Sequence, residues 1–200
     1  MSKMVLATSN TNKLREIRAI LKDLGLEILS LDDVGLSGLE IVEDGDTYES
    51  NSLKKARTVM TRTGLDTIAD DSGLEVDALG GAPGIYSARY SGENATYADN
   101  NEKLLDALKN VPDEERSARF ISVISVAFAS GEELAVRGSI EGRIIHEPKG
   151  NNGFGYDPLF LWPEGNCTFA ELDSTIKNAV SHRSRAMKAL HEALAGRLGK

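Results

Sequence analysis

The chain has 200 residues, enough for one well-cored domain of two lobes or two small domains, and its 40% hydrophobic and 27% charged residues exclude a fibrous or wholly disordered protein. Acidic residues outnumber basic ones, 31 to 23, and the net charge of −8 argues against modes that need a broadly basic face, such as non-specific nucleic-acid binding or polybasic membrane docking. A small anionic ligand then needs lysines and arginines gathered locally, while Cys167, the single cysteine, excludes an intrachain disulfide and a cysteine-built zinc site and fits a reducing compartment.

The opening Met-Ser-Lys-Met-Val-Leu-Ala-Thr holds an apolar stretch far too short for a signal-peptide core, and no later segment approaches the roughly 20 apolar residues of a membrane span, so the expected location is the cytoplasm. Residues 3–8 read as a short buried strand. A polar turn leads to an amphipathic helix over Lys13–Leu24, with Leu14, Ile17, Leu21 and Leu24 on one face and Gly25 as its stop. Leu26–Leu31 returns as a strand. After an acidic, glycine-containing loop, Thr47 is a suitable N-cap for a second helix ending near Gly64, with Leu53, Ala56 and Met60 as its expected buried face.

Thr67–Ala69 reads as a strand running into Asp70-Asp71-Ser72-Gly73, and Leu74–Leu79 as another extended piece. Three glycines and a proline make residues 80–84 a loop. Tyr97–Leu108 is helical by pattern. Phe120–Ala129 and Glu133–Ile145, separated by Ser130-Gly131-Glu132, form an expected antiparallel hairpin; a glycine-rich loop spans 150–155; and Ser184–Leu198 closes the chain as a helix. The alternation predicts a mixed α/β sheet in a single two-lobed domain over 1–200, with loops of both lobes facing one cleft.

Five segments have side chains suited to chemistry. Thr8-Ser9-Asn10-Thr11-Asn12-Lys13, between a strand end and a helix start, offers backbone N–H groups, hydroxyls and a lysine to phosphates, or is an ordinary helix cap with a solvated lysine. The pair Asp70-Asp71 at the end of an apolar strand needs partners, either a hard cation such as Mg²⁺ or the local bonds of an Asx turn. Glu43-Asp44-Gly45-Asp46 could bring a second carboxylate to Asp71, and Lys55 could reach a phosphate; solvated charge is the competing reading. Gly153-Phe154-Gly155-Tyr156-Asp157-Pro158 offers a flat aromatic surface for a purine, or a tight loop plugging the core. Lys177, with Ser181-His182-Arg183 just before the last helix, adds donor side chains, with a structural histidine as the competing reading.

Taken together, Ala7-Thr8-Ser9-Asn10 with Lys13, the block 69–74, the block 79–90 (Leu-Gly-Gly-Ala-Pro-Gly-Ile-Tyr-Ser-Ala-Arg-Tyr), the block 153–158 and Ser181-His182-Arg183 closely resemble the inosine triphosphate pyrophosphatase family, the Ham1-like non-canonical purine nucleoside triphosphate pyrophosphatases. The resemblance runs in the same order from the first strand to the last helix. It implies an elongated mixed α/β fold with a deep cleft, a homodimer, and Mg²⁺-dependent hydrolysis of ITP, dITP and XTP to the monophosphate and pyrophosphate. Carried over by position, it gives Asp71 as the catalytic acid group and a metal ligand, with Glu43 as the companion ligand. Thr8, Ser9, Asn10, Thr11, Asn12, Lys13, Lys55 and Ser72 would hold the phosphates, and Phe154, Gly155, Tyr156, Asp157, Lys177, His182 and Arg183 would surround the nucleoside. Ser50, where many members have Glu, and Asn151-Asn152 are departures from the family pattern. A Maf-like pyrophosphatase of other nucleotides and a nucleotide-binding module without turnover are the competing functions.

Overall fold

The computed structural model describes residues 2–199 and, within them, every side chain but that of Asn12. In chain order the strands and longer helices are β1 (Ser2–Leu6), α1 (Thr11–Ile20), β2 (Leu26–Leu29), α2 (Tyr48–Thr63), β3 (Asp66–Val76), β4 (Pro83–Gly84), α3 (Tyr97–Ala107), β5 (Ser117–Ala127), β6 (Glu133–Ile144), β7 (Phe160–Trp162), β8 (Cys167–Thr168), α4 (Ser174–Val180) and α5 (His182–Leu198). Strands hydrogen-bond in the order β2-β1-β3-β5-β6-β7-β8, with β4 on β3. Pairing of β1 with β2 and with β3 is parallel, and that of β3 with β4, β6 with β7 and β7 with β8 is antiparallel, so the sheet is mixed as expected. The short link between neighbours β5 and β6, closed by Phe128 N–H donating to Glu132 O at 2.9 Å, permits only the antiparallel hairpin.

The chain divides into two compact units, one of residues 1–71, 122–138 and 185–200, the other of 72–121 and 139–184. In the first, the sheet is buried on both faces, which is what crossover helices do to parallel strands. Met4, Leu6, Ile68, Ile124 and Val126 pack with Ile17 and Leu21 of α1 and Met187, Leu190 and Leu194 of α5. Val5, Ala7, Ala69 and Ala127 face the other way, against Ala56 and Val59 of α2. The second unit has one core, in which Leu74, Val76, Phe120, Ile140 and Ile144 pack with Leu104 and Leu108 from α3 and its end and with Tyr156, Phe160 and Phe169.

Helix α2 begins and ends where its punctuation predicts: Thr47 accepts from Ser50 N–H as N-cap, and Gly64 takes the left-handed conformation at the C-terminus. Its buried face is rotated from the expected one. Tyr48, Asn51, Ser52, Ala56 and Val59 are buried, while Leu53 and Met60 lie at the margin. Two polar side chains can occupy that face because each has a partner; Ser52 Oγ, for example, lies 2.6 Å from Ser125 Oγ.

Of the two readings of Asp70-Asp71, the Asx turn is not formed: residues 70–73 are the middle of β3, which joins the two expected extended pieces and runs unbroken from Asp66 to Val76. Distant side chains bind the two aspartates, so no local turn is required to satisfy them. Other differences are smaller. Helix α1 starts at Thr11 and passes into a 3₁₀ turn at Lys22–Leu24, Pro83–Gly84 within the 80–84 loop pair with β3, and the last helix starts at His182 rather than Ser184.

Candidate active site

The first unit gathers the charged residues on β1, β3 and the helices that cover them. Past β1, Asn10 closes the turn as the N-cap of α1, its Oδ1 accepting from Lys13 N–H at 3.3 Å, and Asn10 N–H donates to Thr8 Oγ1 at 3.2 Å. Ser9, Asn10 and Thr11 are exposed and Thr8 half-buried. The cap reading of this segment is therefore met. Its lysine is nevertheless not solvated, because Lys13 Nζ is ion-paired with Asp70 Oδ2 and only 20% of its side chain is exposed. The side chain of Asn12 lies outside the described residues.

Adjacent strand residues point to opposite faces, so β3 sends its two aspartates to different helices. Asp70 shares its face with Ile68, on the side packed by α1, and meets Lys13 of that helix. Asp71 shares its face with Ala69, on the side packed by α2, and its Oδ2 accepts from Asn51 Nδ2 at 3.2 Å. Both carboxylates are 7% exposed, a degree of burial that requires such partners.

Asn51, fully buried, is a member of this cluster that sequence reasoning missed. While its amide donates to Asp71, its Oδ1 accepts from Gly45 N–H at 2.8 Å. One helical turn on, Lys55 Nζ lies 2.6 Å from Glu43 Oε1, with 14% of the lysine side chain exposed. Positions i and i+4 share a helical face, so one stripe of α2 holds both the acidic loop 43–46 and Asp71. Gly45 packs closely there: a Cβ would overlap Ser50 Oγ and stand 2.8 Å from Asn51 Oδ1, so one of these side chains would have to shift. The local signal for Asn51 was its helical register with Ala56 and Val59, a polar residue on an apolar face. Ser50, the departure from the family pattern, spends its hydroxyl on the reciprocal cap with Thr47.

The second unit holds the expected aromatic cluster. Gly153 and Gly155, at φ +77° and +61°, turn the chain so that Phe154 is 49% exposed. Asp157, 3% exposed, pins this loop: its Oδ2 accepts from Phe154 N–H at 2.8 Å and is ion-paired with Lys177 Nζ. Asn101 Nδ2 adds a bond to Gly155 O at 3.0 Å. Lys177 Nζ lies 4.8 Å from the Phe154 ring centroid and Arg183 Cζ 5.7 Å from it, and the Tyr97 ring is 6.2 Å away. Tyr97 is a second residue that sequence reasoning missed.

Two members of this group serve the core. Tyr156 is buried and its hydroxyl donates to Ser87 O at 2.8 Å, with burial pushing its phenol well above the usual range. His182 is buried with its ring stacked on Phe120, centroids 4.9 Å apart. Ser72, half-buried on β3, is the first residue of the second unit. Lys177 stands on α4, a seven-residue helix capped by Asp173 for which the sequence showed no apolar stripe.

Among the described residues no group of three or more His, Cys, Asp or Glu side chains is arranged for a metal, and no helix is long and apolar enough to cross a membrane. The Ham1 family model matches residues 4–193. A dITP/XTP pyrophosphatase of Clostridium perfringens is 51% identical over 98% of both chains. The structure of a HAM1 protein from Coxiella burnetii superposes with a TM-score of 0.92 at 42% identity, over 98% of this chain and all of that one. A nucleoside-triphosphatase and dITP/XTP pyrophosphatase from Mycobacterium abscessus gives 0.81 at 46% identity, over 94% and 98% of the two chains. With sequence and backbone agreeing along almost its whole length, the chain belongs to the Ham1 family.

Proposed function

We propose that the protein hydrolyses the non-canonical purine nucleoside triphosphates ITP, dITP and XTP to the nucleoside monophosphate and pyrophosphate, clearing them from the nucleotide pool before they enter DNA or RNA. The observation that carries this reading is the set on α1, α2 and β3: two mostly buried lysines, Lys13 and Lys55, each beside a carboxylate, with Asp71 held separately by an amide. The names of the relatives support the same reading.

Mg²⁺ suits this donor set. Glu43 and Asp71 offer hard oxygen only, and two carboxylates with the remaining positions left to water and phosphate is the usual magnesium shell, whereas zinc prefers three or four nitrogen or sulfur ligands. When bound there, the ion supplies Lewis-acid stabilisation of phosphate charge. Lys13 and Lys55 are the ammonium groups that turn from Asp70 and Glu43 to phosphate oxygens, placing positive charge where it accumulates on departing pyrophosphate. Asp71 orients the water that attacks the α-phosphorus and takes its proton. Thr8, Ser9, Asn10, Thr11, Asn12 and Ser72 contribute hydroxyl, amide and backbone donors to the phosphates.

Phe154 stacks on the purine, with Lys177 and Arg183 beside its ring, while Gly155, Tyr156, Asp157 and His182 fix the loop and helix entrance that present it. Hypoxanthine and xanthine have an acceptor at ring position 6 where adenine has an amino donor, so the Arg183 guanidinium rejects adenine by leaving donors opposed. Replacing Arg183 with Ala lowers the ratio of kcat/KM for ITP over ATP; an unchanged ratio removes this role. The enzyme acts in the cytoplasm as a homodimer. Incubation with Mg²⁺ and, separately, ITP, XTP, ATP, GTP and dTTP tests the whole reading. Monophosphate and pyrophosphate from ITP and XTP alone support it, and release of single phosphates or turnover of dTTP overturns it.

A further inference from the structure

We infer that Asn51 is a positioning residue of the hydrolytic centre, a side chain that bonds both carboxylate-bearing segments, β3 at Asp71 and the acidic loop at Gly45. The inference rests on the reaction proposed above. Three independent observations carry it. Asn51 is fully buried on the face of α2 that meets the sheet, where a polar side chain is costly unless it is hydrogen-bonded. Its two polar atoms are both used, and each by a different segment: Oδ1 takes the N–H of Gly45 at 2.8 Å and Nδ2 gives to Asp71 Oδ2 at 3.2 Å. Gly45, two residues past Glu43, approaches so closely that a Cβ there would stand 2.8 Å from Asn51 Oδ1 and overlap Ser50 Oγ.

An amide suits this task better than its alternatives. A carboxylate in the same place would offer no donor to Asp71 and would set two negative charges side by side. A longer amide would move the donor out of reach of one segment. The helix cap formed by Thr47 and Ser50 adds to the arrangement, since it fixes the first turn of α2 and with it the direction from which Asn51 enters. Lys55, one turn later, then meets Glu43 from the same stripe. The stripe therefore sets the orientation of the carboxylate that works on water and the placement of the loop that carries its companion. Residues that orient ligating or reacting groups in this way, without touching substrate, typically contribute about 10- to 100-fold in affinity or rate.

The test uses Asn51→Leu, which keeps the branched shape at a larger volume and removes both bonds, and Gly45→Ala, whose added Cβ crowds Asn51 Oδ1 and Ser50 Oγ and so disturbs the contact between loop and helix with the amide still present. For each, thermal melting, Mg²⁺ binding to the nucleotide-free protein by calorimetry, and kcat and KM for ITP are measured. In Asn51→Leu, kcat should fall about 10- to 100-fold and Mg²⁺ affinity about tenfold, with KM for ITP within about threefold of wild type. Gly45→Ala should weaken Mg²⁺ binding with a smaller loss of kcat. A purely structural role predicts lower melting temperature with Mg²⁺ affinity and kcat unchanged in the folded fraction, and that result overturns the inference. If Asn51→Leu does not fold, Gly45→Ala decides: unchanged Mg²⁺ affinity overturns the inference and weakened affinity supports it. A wild-type protein that binds Mg²⁺ but leaves ITP intact refutes the proposed reaction instead, and is separated from failure of the Asn51 role by the calorimetry.

Discussion

The two clusters are built in opposite ways. In the first unit the groups proposed for the chemistry stand on strands and helices and are withdrawn from water: Asp70 and Asp71 are each 7% exposed, and partners come from helices on either face of β3. In the second, the group proposed to meet the base is a phenyl ring 49% exposed on a glycine loop, and the buried charge belongs to the pair Asp157–Lys177. Chemistry at phosphorus tolerates little misplacement, so its groups sit on regular elements with locked partners. Stacking against a flat base tolerates sliding, so a pinned loop is enough. Mutations in the first unit should accordingly act on kcat and those in the second on KM and base preference.

That contrast breaks most directly at Asp71. Replacing it with Asn keeps size and removes the proton acceptor, and kcat for ITP should fall about 10²- to 10⁴-fold. A loss confined to KM would erase the distinction between the units. Lys13→Met comes next, with kcat/KM down about 10²-fold from lost charge at the phosphates. It also strips Asp70 of its ammonium, and because that lysine is 20% exposed the stability loss should be about 2 kcal/mol, below the figure for a fully buried pair. Denaturant unfolding measures it. In Phe154→Ala the KM for ITP should rise about tenfold while kcat stays within about threefold, as expected when a stacking partner is lost.

Two smaller effects sharpen the supporting role of the second unit. Tyr156→Phe leaves the Ser87 carbonyl without its hydroxyl donor and should cost about 1 kcal/mol of unfolding free energy with little change in rate. Asp77 is held below the usual carboxylate range by the Ser117 hydroxyl and the Arg119 guanidinium. Its depressed value means the fold favours the ionised form, so this stability is present above about pH 4 and is lost as pH falls through the folded value. Asp77→Asn should flatten the acid side of the melting-temperature profile and leave the neutral side nearly level.

How much of this was legible in the sequence depended on whether the cause was local. Helix α2 could be bounded because Thr47 and Gly64 punctuate it, and the β5–β6 hairpin because Ser130-Gly131-Glu132 breaks two β-prone runs. The continuity of strand β3 could not be read locally, because two acids followed by Ser-Gly are compatible with turn chemistry. What keeps it extended are partners 57 and 20 residues away, Lys13 and Asn51. The rotation of the α2 face has the same origin, since Asn51 and Ser52 are buried for their bonds rather than for their hydropathy. Of the site, the family resemblance drew attention to Asp71, Lys13 and Lys55, whereas Asn51 and Tyr97 emerge only when distant segments are brought together. Helix α4 escaped because seven residues give too little periodicity to read.

The division of Asp70 and Asp71 between two faces makes the site depend on parity. Each residue added to or removed from β3 before these positions exchanges the faces of everything after it, so an odd change would turn Asp71 towards the α1 face that holds Lys13 and Asp70 towards the α2 face that holds Asn51. The pairing of Leu6 with Ile68 is thus a counting constraint as well as a structural one. Insertions belong in the β5–β6 turn, and a library of one- and two-residue deletions in β3 before Asp70 should retain more activity when two residues are removed than when one is.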